Sequence, residues 1–321
     1  MIVYGSVCSG VGAATVAWRP LGWFRPAWFS EILPFPSAVL KHHYPETPNL
    51  GDMTKIYDKA TFLNKRIDIL VGGTPCQSFS VAGLRKALED PRGNLMLEFL
   101  RLAHIKRPRW LVWENVPGVL SSNGGRDFGS LLGALRYLGY FGAWRVLDSQ
   151  YFGVPQKRRR VFVVGHRGDW RPPAEVLLES SGLPGRPAPN KEIQQESPQI
   201  TFERPSSGSK PLAFGWQEGR SFKFSSVSNP LTISQTQAVV QHGIARKFTP
   251  LEYERLMGFP DNYSLIPYGR KAGGPDGRRF PASLDGLRYK ALGNSIAIPI
   301  MSWLGRRIKT QIDAEISEET R

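Results

Sequence analysis

Cysteine is nearly absent from this chain. Only Cys8 and Cys76 occur in 321 residues, too few for a disulfide framework and in no zinc-ligand spacing. The expected setting is the cytoplasm, with reduced thiols and no bound metal. Histidine is scarce too. His42, His43, His104, His166 and His242 all stand outside the motifs described below, so a thiol hydrolase, which needs an imidazole partner, ranks low. No apolar run reaches the roughly 18 residues of a membrane helix. Residues 1–5 lack the basic region and apolar core of a signal peptide. No membrane partner is expected.

Negative charge is the other shortage. Against 42 Lys and Arg stand 27 Asp and Glu, a net +15. A mild excess would be a solvated surface, but this one is large and clustered. One cluster is Lys157, Arg158, Arg159 and Arg160; the other is Arg270, Lys271, Arg278, Arg279, Arg288 and Lys290. Neither lies on an evident amphipathic helix, so a nucleic acid is a better partner than a membrane surface.

What is present is apolar bulk in an ordered pattern. With 41% hydrophobic residues, 17 Phe and 9 Trp, the chain can bury one large domain and a smaller one. Up to residue 166, strand-like runs at 3–8, 28–31, 67–71, 110–113, 144–147 and 160–165 alternate with helical patterns. Those helices are expected after the Gly10 turn and at 35–43, 95–104 and 128–138. Such alternation implies a parallel sheet with helices on both faces, with ligands at the carboxyl ends of its strands. The Gly10 turn, Glu31, Cys76 and Glu114 all fall at such ends. From about 168 to 245, Pro, Ser and Gly become dense and helical periodicity fades. It returns at Thr249, whose spacing to Glu252 predicts a capping box, and Gly258 ends that helix. Residues 267–290 read as a basic loop, 296–313 as a helix, and the remainder as frayed.

Residues 72–80, Gly-Gly-Thr-Pro-Cys-Gln-Ser-Phe-Ser, set Cys76 in a polar, glycine-flanked loop. Free cysteine is most often inert and buried; this context argues against that fate. A thiol of pKa about 8.5 still needs help to ionise. Cys8, in an apolar run, is expected to be unreactive while its backbone borders a ligand. Glu114 follows Leu111-Val112-Trp113, where burial would raise a carboxyl's pKa and suit it to donate a proton. A cap or salt-bridge carboxylate is the alternative, and Asn115 is placed to lock its geometry. Nucleophile and acid together suit covalent attack on a ring. Gly10-Val11-Gly12 would let a cofactor approach the backbone, with Glu31 suited to a ribose diol; a simple tight turn would look the same. Thr15 breaks the dinucleotide fingerprint, which leaves room for S-adenosyl-L-methionine (AdoMet). In the basic run, alternation sends Arg158 and Arg160 to one side and Arg159 to the other.

These segments together resemble the cytosine-C5 DNA methyltransferase family, of prokaryotic or phage type. The resemblance rests on Pro-Cys-Gln at 75–77, Glu-Asn-Val at 114–116, Gln-Lys-Arg-Arg-Arg at 156–160, Arg-x-Phe-Thr-Pro-Leu-Glu at 246–252, Met-Gly-Phe-Pro at 257–260 and Gly-Asn-Ser at 293–295. All stand in the family's order, and only about 168–245 and 267–290 lack a counterpart. The resemblance implies a Rossmann-like AdoMet-dependent α/β fold, with a small, mostly β or irregular target-recognition domain. Implied bounds are 1–169 for the catalytic domain, 170–262 for target recognition, 263–290 for a hinge and basic loop, and 291–321 for a returning C-terminal helix.

The implied activity is methylation of cytosine C5 in double-stranded DNA. Cys76 would attack C6 and Glu114 would hold N3. Arg158 and Arg160 would support the flipped-out base and the catalytic loop. AdoMet would meet Cys8, Gly10, Val11, Gly12, Glu31, Ile32, Asp52, Met53, Gly73, Pro75, Leu95, Asn294 and Ser295. Gln77, Ser80, Arg92, Lys157 and Thr232 would meet DNA. Residues 77–96 match a loop that closes over DNA. One departure stands out. The first motif usually reads Asp-Leu-Phe-x-Gly-x-Gly-Gly; here 6–13 is Ser-Val-Cys-Ser-Gly-Val-Gly-Ala, with Cys8 in place of the phenylalanine that packs on the adenine. A monomer is expected, with or without a separate cognate restriction endonuclease. The rivals are a tRNA cytosine enzyme of the same lineage and a DNA-binding protein that kept the fold without the activity.

Overall fold

The computed structural model describes residues 1–74, 95–178, 212–216, 236–241, 244–268 and 282–320. Pro75, Cys76, Gln77, Ser80, Arg92 and Thr232 lie outside the described residues, as do 190–210 and the arginines at 270, 278 and 279.

Six strands form the central sheet: β1 (Ile2–Val7), β2 (Phe24–Ser30), β3 (Ile69–Gly72), β4 (Trp110–Asn115), β5 (Tyr140–Asp148) and β6 (Arg159–Arg167). Their spatial order is β2-β1-β3-β4-β6-β5. The period of two is explicit. Ile69, Val71, Trp110, Val112, Phe162 and Val164 face one core. Leu70, Leu111, Trp113, Val161 and Val163 face the other. Strands buried on both faces read as continuous apolar runs, as these do. On the first face pack α1 (Ala13–Trp18), α2 (Pro34–His43), α6 (Arg171–Leu177), α7 (Pro250–Met257), α8 (Ala282–Gly293) and α9 (Ile298–Glu319). Helices α4 (Leu95–Lys106) and α5 (Arg126–Tyr137) and the short α3 (Ala60–Asn64) cover the second.

The expected all-parallel sheet is corrected by β6, which is antiparallel to both β4 and β5. Connection 149–158 is too short for a helical crossover, which takes about a dozen residues or more, so the chain reverses directly. This reversal carries the start of β6 to the carboxyl ends of the parallel strands. Three further readings change. The frayed tail is helix as far as Glu319: Arg109 pairs with Glu315 and Glu319, and His166 contacts Glu315, tying the last turns to the sheet. Residues 282–290 are the first part of α8 rather than loop. Within it Arg288, expected in a polyanion-binding cluster, is buried against Glu254 and Ser264. A buried guanidinium with a carboxylate partner serves packing, not a phosphate.

Val176 and Leu177 of α6, Tyr253 and Met257 of α7, and Tyr263 and Ile266 beyond it all join the first core. Among the described residues of the interval 170–262, β7 (Leu212–Trp216), β8 (Thr236–Gln241) and β9 (Ile244–Lys247) make a separate antiparallel sheet. Arg246 of β9 forks onto Glu252 of α7 with two 2.8 Å bonds. Glu252 also completes the expected capping box with Thr249. The motif at 246–252 thus ties one edge of the small sheet to the main body.

Among the described glycines close packing is tightest at Gly5. A Cβ there would lie 2.3 Å from the ring of fully buried Trp28. Gly5→Ala is therefore expected to cost about 1–3 kcal/mol by overpacking, measured as a lower urea midpoint at unchanged slope.

Candidate active site

A cavity of about 900 Å³ opens at the carboxyl ends of β1, β2, β3 and β4, with α8 as its far wall. Each edge follows from local structure. After β1, Gly10 (φ 54°) and Gly12 (φ 84°) take left-handed conformations that favour glycine, turning the chain into α1. A Cβ built on Gly10 would meet nothing within 4 Å, so this turn faces open space. After β2, Glu31 is buried, yet both oxygens are held by backbone: Gly10 N–H donates to Oε2 at 2.7 Å and Leu33 N–H to Oε1 at 2.8 Å. Each oxygen keeps a lone pair for a ligand hydroxyl. Asn49 accepts from Glu31 N–H at 3.0 Å and fixes the backbone behind it. Asp52 caps the turn Met53–Lys55. Burial pushes its carboxyl up, but bonds from Thr54 and the charge of Lys55 outweigh that and hold it below its ordinary value.

The acid end is built by β3, β4 and β6. Glu114 and Phe162 are register partners, so Arg160, two residues earlier on the same face, is the diagonal neighbour of Glu114. Arg160 Nε lies 3.0 Å from Glu114 Oε1. Burial raises the Glu114 carboxyl above its ordinary pKa, against the lowering effects of Arg160 and Arg158. Beneath it Gly73 is required by space, since a Cβ would come 2.7 Å from Glu114 Oε2. Thr74 is gripped twice: Trp113 Nε1 donates to its hydroxyl at 2.9 Å and Asn115 Nδ2 to its carbonyl at 2.8 Å. Asn115, placed by sequence as a lock on Glu114, thus holds the chain leaving β3 toward the Cys76 loop.

The basic run divides as alternation predicts. Arg159 and Lys157 are exposed, Arg160 is intermediate, and Arg158 is only 2% exposed. Arg158 does not reach solvent. Its Nη2 donates to the carbonyls of Gly293 (2.9 Å) and Ser295 (2.7 Å), bracketing Asn294 at the cavity wall. Burial, then the Arg160 charge, lower its pKa against the pull of Glu114.

Of the expected cofactor residues, Cys8, Gly10, Glu31, Ile32, Asp52, Met53, Gly73, Leu95 and Asn294 line this one cavity. Val11, Gly12 and Ser295 are not among its lining residues. Val11 is in the core and its carbonyl accepts from Tyr263; Gly12 begins α1; Ser295 is buried beneath the wall. Burial, then the Glu31 charge, push the Cys8 thiol up to about 12, which fits the expected lack of reactivity. Its sulfur lies 3.9 Å from that of Met53. Sequence reasoning missed Leu287, Lys290 and Ala291 of α8. Their spacing with Asn294 is that of one helical face, a signal hidden by the basic, glycine-rich stretch before it.

A cavity at the carboxyl ends of this sheet, between a glycine turn and a half-buried acid–arginine pair, defines a Rossmann-like methyltransferase fold. Solved Spodoptera frugiperda DNMT2 superposes with a TM-score of 0.63 over 96% of this chain and all of that one, at 17% identity, a likeness of fold. The pattern of the C-5 cytosine-specific DNA methylases matches residues 3–202 and 187–310. The chain belongs to that family. An Escherichia phage P1 protein named DNA N-6-adenine-methyltransferase is 33% identical over 96% of this chain. The orphan methyltransferase M.Rho11sI of Bacillus phage rho11s is 38% identical over 51% of it. The chain spans 61% of the first relative's length and 33% of the second's.

Proposed function

We propose that the protein methylates cytosine at C5 in duplex DNA, with AdoMet as donor. The observation that carries this reading is the Glu114–Arg160 pair at the lip of the cavity, beside the strand that leads into the Cys76 loop. The residues present suit the donor. The cavity has the size of a small-molecule site, and the Gly10 turn and the half-satisfied Glu31 carboxylate accept a ribose without displacing protein atoms. When bound, AdoMet supplies an electrophilic methyl group. Cytosine C5 is too poor a nucleophile to take it unaided. The Cys76 thiolate adds to C6 while Glu114 gives a proton to N3, leaving an enamine nucleophilic at C5. After methylation a solvent base takes the C5 proton, the ring electrons expel Cys76 as thiolate from C6, and N3 returns its proton to Glu114. Arg160 holds Glu114, and Arg158 holds the wall beside it. A stacked base cannot reach such a pocket, so it must be flipped out, with Lys157 and the other exposed cations gripping phosphates. The interval 170–262, which holds the small sheet β7–β9, reads the target.

The phage P1 relative's name gives a second reading, transfer to adenine N6. That amine attacks directly and needs no thiol, so the Cys76 loop favours cytosine. Incubation with methyl-labelled AdoMet and unmethylated duplex DNA, with tRNA in parallel, then nucleoside mass analysis, decides between them. 5-Methylcytosine from DNA supports the proposal; N6-methyladenine or label on tRNA alone ends it.

Gly73→Ala tests the acid's placement. The new methyl group would push the Glu114 carboxylate off Arg160, and kcat is expected to fall about 100-fold with the circular dichroism spectrum unchanged.

A further inference from the structure

Among the described residues three cations line the cavity: Arg158, Arg160 and Lys290. Two are already engaged. Arg158 holds the carbonyls of Gly293 and Ser295, and Arg160 holds Glu114. The Lys290 ammonium has no hydrogen-bond or ion-pair partner among the described residues. Lys290 lies on the face of α8 that also presents Ala291 to the cavity, one turn before Asn294 and the segment that Arg158 anchors next to Glu114. The remaining charges of the described lining are acidic: Glu31, Asp52 and Glu114. An anion entering this field is opposed unless a free cation meets it.

We propose that Lys290 is the anion-binding residue of this cavity and takes the α-carboxylate of the methyl donor. The inference rests on the reading of the cavity as the donor site. The donor's carboxylate is its only anionic group, and a short carbon chain separates it from the reacting sulfur. The sulfur has to lie near Glu114, which holds the acceptor ring. That places the carboxylate within reach of the α8 wall, where Lys290 supplies the missing charge. Because Lys290 is exposed, its replacement leaves the core intact.

The test is calorimetric and needs no turnover. S-Adenosylhomocysteine and its decarboxylated analogue are titrated into the wild-type protein and into Lys290→Met and Lys290→Arg. The wild type is expected to prefer the carboxylated ligand by about ten- to a hundredfold, the range of a charge-assisted hydrogen bond. Lys290→Met should bind both ligands alike within about twofold, losing only the preference, and Lys290→Arg should restore it. A Lys290→Met protein that keeps the wild-type preference overturns the proposal while leaving the donor site standing. If that variant instead lowers the salt dependence of DNA binding, Lys290 is a phosphate contact and the proposal also fails. A wild type that binds neither ligand overturns this proposal together with the donor-site reading.

Discussion

Cys76→Ala is expected to abolish methyl transfer, by at least about four orders of magnitude in kcat, while DNA and cofactor binding persist. No other thiol can substitute. The second cysteine, Cys8, is held in the cavity wall with its thiol pushed up to about 12, far from ionisation at neutral pH. A 5-fluorocytosine duplex gives the direct measurement. Fluorine cannot leave C5 as a proton does, so the wild type should accumulate a covalent complex stable on a denaturing gel, and Cys76→Ala should form none. Residual labelling of cytosine C5 by the variant, near wild-type rate, would remove the covalent mechanism.

Glu114→Gln is expected to lower kcat by about 10²- to 10⁴-fold, the usual weight of a positioned general acid. The amide preserves shape and leaves Arg160 a hydrogen-bond acceptor, so the loss reports the proton rather than packing. The sign of the pH dependence follows from the site. Burial raises the Glu114 carboxyl and the Arg160 charge lowers it. The proton-donating form is lost as pH rises through that raised value, which sets an alkaline limb in the rate profile. Arg160→Leu removes the lowering charge, so the limb should move to higher pH even as the maximum rate falls. A limb that stays in place in Arg160→Leu, or survives in Glu114→Gln, assigns it to another group.

Much of the described cavity lining in the first half of the chain was legible because it sits where periodicity stops. Gly10, Glu31, Glu114 and the 72–80 loop each end an apolar run, and a strand end in an α/β sheet is a place for ligands whatever the rest of the chain does. The capping box at Thr249 and Glu252 was legible for a similar reason, since its bonds span three residues and need no tertiary partner.

The sequence by itself determined which residues alternate, where strands end, how much apolar surface seeks burial, and that Arg158 and Arg160 share a face apart from Arg159. Only the tertiary structure decided what those faces meet. Composition cannot tell a phosphate-binding arginine from Arg288, whose partner Glu254 lies on another helix, or from Arg158, whose acceptors are carbonyls at Gly293 and Ser295. Nor does local patterning give strand direction. The reversal of β6 depends on a short connection and on the free position between β4 and β5, and it alone sets Arg160 against Glu114. The same holds for the last turns of α9, which look solvated until Arg109, just before β4, and His166, near the end of β6, close on Glu315. Local preferences act over a few residues, whereas an ion pair is set by where two distant segments are brought together by the burial of everything else.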